Sequence, residues 1–483
     1  ETAVIDGRPR SATVTARSDL RLRIGVGSEL RARCIESPDA TFAFARQFAT
    51  RLRDREERIT PPSGSNTAGA TTIASDAPEI PPAEVLVFDP TASGYFDDPN
   101  AQLDALREAS PLIPRPEVDG WMVTRYADVH SLSRDRRFGH DIAPAGSSPV
   151  LDAERESIQQ NPIVTLSMLR QDGDDHLRLR RLVSSAFTPR AIARWRTRTA
   201  EISAELLDAL ERNGGGDLIA DYALPLPVRI ISDMLGFDTD DAERMRVWSH
   251  QIALTLDGDI SDEDRQTGNA AMEAMLERIA ERYDVERAEP SDGILAALVH
   301  AEADGRRLSR EEVLMNVSLL YVAGHETTTN LIGNGAVQLL RHPDELHRLR
   351  VDPSLDANVI EEIMRYDSPV QFTRRIAKEP VEVAGETLDA GTVLMLCFAS
   401  ANRDPRHWGP TAHRFDVGRP NANGHVSFGG GPHHCLGAAL ARLEGSIALP
   451  GLVRRFPRLR WTEEPAYESR VVLRGLGSLS IEV

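Results

Sequence analysis

The stretch FGGGPHHCLGAALARLE, Phe428 to Glu444, decides how this chain is read. It places a single sulfur, Cys435, on a tight glycine-rich loop at the mouth of an Ala/Leu-rich helix, where free N–H groups and the helix dipole favour a thiolate. Gly429, Gly431 and Gly437 remove side chains on the approach to that sulfur, so something flat and large can come close. Zinc bound by His433, His434 and Cys435 is the competing reading. Adjacent residues cannot all aim at one metal, however, and no paired Cys-x-x-Cys is present.

Working outward, three further patterns carry chemistry. Ala323-Gly-His-Glu-Thr-Thr328 interrupts a long apolar run at 311–340. Polar groups inside an apolar helix are costly unless they have a partner or a task. Glu362 and Arg365 stand three apart, on one helical face, where they can pair. His176 and Arg180 stand one helical turn apart, so both cations can face one anion.

The rest of the chain bounds these readings. Its 483 residues carry 56 Lys plus Arg against 74 Asp plus Glu, a net charge of −18, which argues against a nucleic-acid partner. Lys378 is the single lysine, so nearly every cation is a guanidinium suited to carboxylates. Three scattered cysteines, Cys34, Cys397 and Cys435, form no disulfide framework. No apolar run approaches the roughly 18 residues of a membrane span. The chain begins at Glu1 with no signal pattern, and a cytoplasmic location is expected.

Residues 1–60 read as an Arg-rich extension and 61–83 as a Pro/Ser/Thr/Gly linker. From 84 to 483 the texture is uniform and mainly α, with helical periodicity over 199–213, 271–284 and 311–340. Strand-like runs at 380–388, 391–399 and 471–483 make up a smaller β region.

The pattern F-G-x-G-x-H-x-C-x-G, met by Phe428, Gly429, Gly431, His433, Cys435 and Gly437, resembles the haem-ligand signature of the cytochrome P450 family, the haem-thiolate monooxygenases. The other three patterns occur in that family's order, and AFTPR at 186–190 and ANRDP at 401–405 match its bacterial branch. The resemblance covers 84–483 and implies the cytochrome P450 fold, with haem b between the long central helix and the Cys435 loop. It implies that Cys435 is the axial thiolate of the iron. Phe428 would pack beside the ligand, and Ala323 and Gly324 would leave a groove for oxygen. His176, Arg180, Arg375 and His433 would hold the haem propionates. Glu362 and Arg365 would be a buried pair completed by Arg419, and Glu326 and Thr327 an acid–alcohol pair that passes protons from solvent. One departure stands before His176, where the family's Asp-Pro-Pro-Glu is Asp172-Gly173-Asp174-Asp175; it is expected to affect the turn more than the ligands.

The function implied is insertion of one oxygen atom from O₂ into a hydrophobic small molecule such as a polyketide, terpenoid or steroid. NAD(P)H-derived electrons would arrive through a ferredoxin reductase and an acidic ferredoxin docking near Arg178, Arg181 and Arg442. The protein is expected to be monomeric. The pocket is expected to be walled by residues 140–170, by Leu319, Leu320 and Val370 to Thr373, and by a lid holding Met245, Trp248, Ile252 and Leu256. A peroxide-driven oxygenase of the same fold, or a non-catalytic haem protein, are the alternatives. Retention of Glu326 and Thr327 counts against both.

Overall fold

The computed structural model describes residues 87–115, 118, 120–140, 162–257, 260–303 and 306–483. The chain divides into two units, Glu1–Val85 and Leu86–Val483, and the described residues belong to the second. The extension and linker expected at 1–83, and most of the expected pocket wall at 140–170, lie outside them.

Short helices and the two-residue strands Glu302–Ala303 and Arg306–Arg307 aside, the order is α1 (Asn100–Ala109), β1 (Leu112–Arg115), β2 (Gly120–Val123), α2 (Tyr126–Leu132), β3 (Phe138–Gly139) and α3 (Gly173–Ser184). There follow α4 (Arg196–Asn213), β4 (Gly215–Asp217), α5 (Pro225–Leu235), α6 (Thr239–Leu254), α7 (Asp262–Ala288), α8 (Arg310–Arg341), α9 (Pro343–Val351) and α10 (Asn358–Tyr366). Last come β5 (Phe372–Ala377), β6 (Val381–Val383), β7 (Glu386–Leu388), β8 (Val393–Cys397), α11 (Ala438–Arg455), β9 (Arg460–Trp461) and β10 (Ser480–Glu482). Helices dominate, as the periodicity predicts.

The central element is α8, whose 32 residues span about 48 Å at 1.5 Å per residue. Ser309 starts it with a capping box: Glu312 N–H donates to Ser309 Oγ at 3.1 Å, and Ser309 N–H donates to the Glu312 carboxylate at 2.9 Å. From Leu331 to Leu339 it is buried all round. Gly335 makes that crossing close enough, since a Cβ there would stand 2.6 Å from Leu449 of α11 and 2.9 Å from Ile363 of α10. The helix with Glu326 and Thr327 is thereby packed directly on the helix that follows Cys435.

A five-stranded sheet runs β1-β2-β8-β5-β3. Strand β8 lies parallel to β2 and antiparallel to β5, pairing Leu394 with both Trp121 and Arg375. A second sheet, β9-β10-β4, ties the C-terminus to the residues after α4. Two strand expectations change. The run at 380–388 is a hairpin, because Ala384 (φ 50°) and Gly385 (φ 87°) take left-handed backbone between β6 and β7. Within 471–483 only Ser480–Glu482 is a strand; the remainder contributes isolated bridges such as Val370 to Leu473.

Candidate functional site

Helix α10 sets the frame. Arg365 grips Glu362 with two bonds, Nε at 2.7 Å and Nη2 at 2.8 Å, and Arg419 reaches the same carboxylate through Nε at 3.0 and 3.2 Å. Glu362 is 0% exposed, so the carboxylate is stable there only because both guanidinium groups and Asp416 N–H satisfy it. Arg419 Nη1 donates to Thr411 Oγ1, and the other donors go to carbonyls: Arg365 to Asn402, Ala412 and Arg414, Arg419 to Thr411 and Arg414. The three residues thus staple the segment 402–419 onto α10. Asn402 extends the staple toward the cysteine loop by donating to Ser427 Oγ at 2.7 Å and accepting from Val426 N–H at 2.9 Å.

The loop itself closes where Cys435 N–H donates to Phe428 O at 2.8 Å. Gly431 needs to be glycine twice over: its φ is +63°, and a Cβ would stand 2.9 Å from the backbone of Arg134. The space at Gly431 is therefore filled by the protein rather than left for a flat ligand, which corrects the expectation drawn for all three glycines. Gly429 also takes positive φ, and only at Gly437 would an added Cβ meet nothing within 4 Å. Phe428 is buried, with the Arg442 guanidinium 4.6 Å above its ring.

Cys435 is exposed, although protein crowds it on the other sides. That desolvation raises the thiol pKa; the N–H groups of Gly437 and Ala438 and the charges of Arg180 and Arg442 act the other way but do not win. The N–H groups at the helix start thus favour the thiolate in the direction expected, against burial.

Beside the loop, His433 lies between two other imidazoles, 4.2 Å from the ring of His176 and 4.3 Å from that of His140. Arg375, on β5, contacts His140 Nε2 at 2.6 Å. Burial, with help from Arg375 and His433, pushes His140 down to about 2; burial, His433 and Arg180 push His176 down to about 4. Unless an anion binds it, the His176 cation read from its spacing is thus disfavoured. Burial also lowers Arg375 to about 10, which leaves it charged. His433, expected to face a propionate, has Nε2 on Asp172 at 3.0 Å, and Arg180 donates through Nη2 to His434 O at 2.6 Å. The departure before α3 acts here: Gly173 takes φ +60°, which proline cannot adopt, and Asp172 turns its carboxylate to His433, His140 N–H and Lys378.

On α8, Glu326 is 8% exposed and receives His250 Nδ1 at 3.0 Å, with Arg470 Nη1 at 3.7 Å. Thr327 donates to Ala323 O at 2.9 Å, and Ala323 is exposed although the helix around it is largely buried. The small residue at 324 serves packing: a Cβ there would stand 3.3 Å from Ile231 of α5. In the expected lid, Met245 and Ile252 belong to the core and Leu256 is exposed. Two arginines expected to greet a redox partner are engaged inside the chain, Arg178 with Glu312 and Arg442 with Glu361.

These features fit an iron porphyrin. A thiol faces outward at a helix start, Ala323 and Gly437 leave room, and His176 Nε2 is buried without a hydrogen-bond partner. A porphyrin carboxylate is the kind of acceptor that this imidazole and the Arg375 guanidinium would hold.

The model of the family described as Cytochrome P450 matches residues 228–352 and 353–470. The polyketide biosynthesis cytochrome P450 PksS of Bacillus subtilis is 34% identical over 83% of this chain and 99% of its own length. The vitamin D(3) 25-hydroxylase of Pseudonocardia autotrophica is 37% identical over 80% and 94%. Among solved structures, P450BioI in complex with a hexadec-9Z-enoic acid-ligated acyl carrier protein superposes with a TM-score of 0.75 at 32% identity, covering 81% of this chain and 99% of that one. The chain belongs to the cytochrome P450 family. It is a P450 monooxygenase of the bacterial type, and its family binds haem and uses O₂.

Sequence reasoning missed His140, Asn402, His250 and Arg470. Asn402 lay within a motif already noted, ANRDP; the other three carried no local signal.

Proposed function

We propose that this chain inserts one oxygen atom from O₂ into a hydrophobic secondary metabolite of polyketide, terpenoid or steroid type, using electrons from a ferredoxin and its NAD(P)H-dependent reductase. Residues 84–483 are the catalytic domain, working in the cytoplasm with haem b. The substrate class is supported by relatives named for polyketide biosynthesis and vitamin D(3) hydroxylation. The single observation that favours O₂ over a peroxide-driven reaction is the buried acid Glu326 beside Thr327, with a solvent-side partner in His250.

When bound, the haem iron supplies electron transfer and O₂ activation, with electron density from its thiolate ligand. The chain does the rest. Cys435 Sγ would hold the iron, and His176, Arg375, Arg180 and His433 would form the polar side that orients the propionates. Ala323 keeps the middle of α8 low beside the reacting centre. Thr327 Oγ1, which donates to Ala323 O at rest, would turn that proton toward the reacting centre, and the Glu326 carboxyl would replace it.

The test is a carbon monoxide difference spectrum of the reduced full chain, followed by NADPH-driven turnover with a surrogate ferredoxin and reductase on macrolactone and sterol panels. A strongly red-shifted Soret band and reductant-dependent oxygenated product are expected. A band at the imidazole- or thiol-ligated position would overturn the reading, and product formed only with added peroxide would overturn its O₂-dependent form.

A further inference from the structure

Glu326 has neighbours on three elements, and they differ in what they can do with a proton. From α8 itself, His325 stands 3.9 Å away but is fully buried, with Nδ1 on Tyr321 O at 3.0 Å and its ring 3.5 Å from Ser249 Oγ. From the C-terminal segment, Arg470 stands 3.7 Å from Oε2, flanked by Asp257 and Glu468, each 3.8 Å from it. A guanidinium does not release its proton in this pH range. From α6, His250 places Nδ1 3.0 Å from Glu326 Oε1 while its side chain is 46% exposed. Of these groups only His250 both touches the acid and meets solvent, and only imidazole titrates near neutrality without help.

We propose that His250 is the port through which solvent protons reach Glu326, a relay residue that acts through the acid on α8; this rests on the reading of Glu326 as the proton-donating acid. Water protonates the ring at Nε2, the Nδ1 proton passes to Glu326 Oε1, and the carboxyl passes it on toward Thr327. A tautomer exchange through solvent then resets the imidazole. Each proton taken from bulk water ends in the reduced oxygen product, and the electrons come from the ferredoxin. The electrostatics agree with this role. The bond to Glu326 raises His250 above the ordinary histidine value, with burial opposing and Glu326 and Glu468 adding to it, and Arg470 opposing. Burial would raise Glu326, but His250, His325 and Arg470 together hold it below the usual carboxylate range. The resting pair is an imidazolium on a carboxylate, so the port is loaded with a proton, and transfer to Glu326 is uphill and is drawn inward only as the carboxyl passes its proton on toward Thr327.

The experiment needs no organic substrate. The haem-loaded wild type, His250→Gln, His250→Lys and Glu326→Gln are supplied with electrons by a surrogate ferredoxin and reductase from pH 6 to 9. The share of O₂ reduced to peroxide rather than water is measured, and the carbon monoxide band certifies each fold. In the wild type the peroxide share is expected to rise with pH, because the imidazolium is lost as pH passes its pKa. In His250→Gln it should be high and flat, with the rate to water down about tenfold, short of the roughly hundredfold or more typical of a group at the reacting atoms. His250→Lys keeps the charge but not the titration, and should behave like His250→Gln. Histidine NMR of the carbon monoxide complex should show the His250 pKa falling in Glu326→Gln. A wild-type profile in His250→Gln beside a shifted Glu326→Gln overturns the port and leaves the acid standing. Restoration by His250→Lys also overturns it, since charge alone would then suffice. A wild type with no thiolate band and no O₂ uptake overturns the underlying reading and the proposal with it.

Discussion

Asp172 accepts from His433 Nε2 at 3.0 Å, which joins the residue before α3 to the loop that carries Cys435. The same carboxylate accepts from His140 N–H at 2.8 Å and faces Lys378 Nζ at 3.2 Å. Burial acts to raise its pKa, but His433, His140 N–H and Lys378 outweigh it and hold the group well below the usual carboxylate range. Asp172→Asn keeps the shape but replaces one acceptor oxygen by an NH₂ that faces donors. A loss of about 1–3 kcal/mol is expected in urea unfolding of the haem-loaded protein. An unchanged midpoint would show that the loop does not depend on this link.

Glu362 is the second test of how the site is held. Glu362→Gln leaves Arg365 and Arg419 buried with a neutral partner, and breaking a buried pair of this kind costs about 3–5 kcal/mol. Stability measured by chemical denaturation should fall by that amount, and Arg419→Leu should fall less because Arg365 still satisfies the carboxylate. Equal losses from the two variants would contradict this ranking.

Glu444 makes a prediction about pH. It is buried on α11 with Oε2 unpartnered, and burial raises it from 4.5 to about 8 although a bond from Thr328 opposes the rise. A carboxyl raised in the folded state contributes its full stability below the unfolded value. That contribution is lost as pH climbs from about 4.5 through about 8, at roughly 1.4 kcal/mol per unit. Glu444→Gln should flatten the decline of thermal stability over that window. A parallel decline in both proteins would place the titrating group elsewhere.

Cys435→Ser removes the sulfur and keeps the backbone of the loop, including Cys435 N–H to Phe428 O. The reduced protein with carbon monoxide should lose the red-shifted band while circular dichroism stays unchanged. Persistence of that band in the variant would mean that another residue ligates the iron.

The parts of this site legible in the sequence are those set by short-range geometry. Glu362 and Arg365 meet because three residues make nearly one helical turn, and the loop around Cys435 is written in consecutive glycines. The long apolar run at 311–340 announced α8 with its ends correct to a residue. Charge states were less legible. His176 reads as a cation from spacing, yet burial, with His433 and Arg180 nearby, pulls its pKa down, and burial depends on what packs around it.

The sequence by itself determined the family, the cysteine on its helix start and the acid and alcohol on the central helix, because each is a pattern of near neighbours that the backbone repeats convert directly into position. Tertiary structure alone decided that His250 meets Glu326 across 76 residues and His140 meets Arg375 across 235, and it gave the contact of Arg419 with Glu362 across 57 that the family resemblance had only implied. No local periodicity encodes such meetings. They arise when burial of the apolar faces of α6, α8 and α11 brings polar groups into a low-dielectric interior, where each must find a partner.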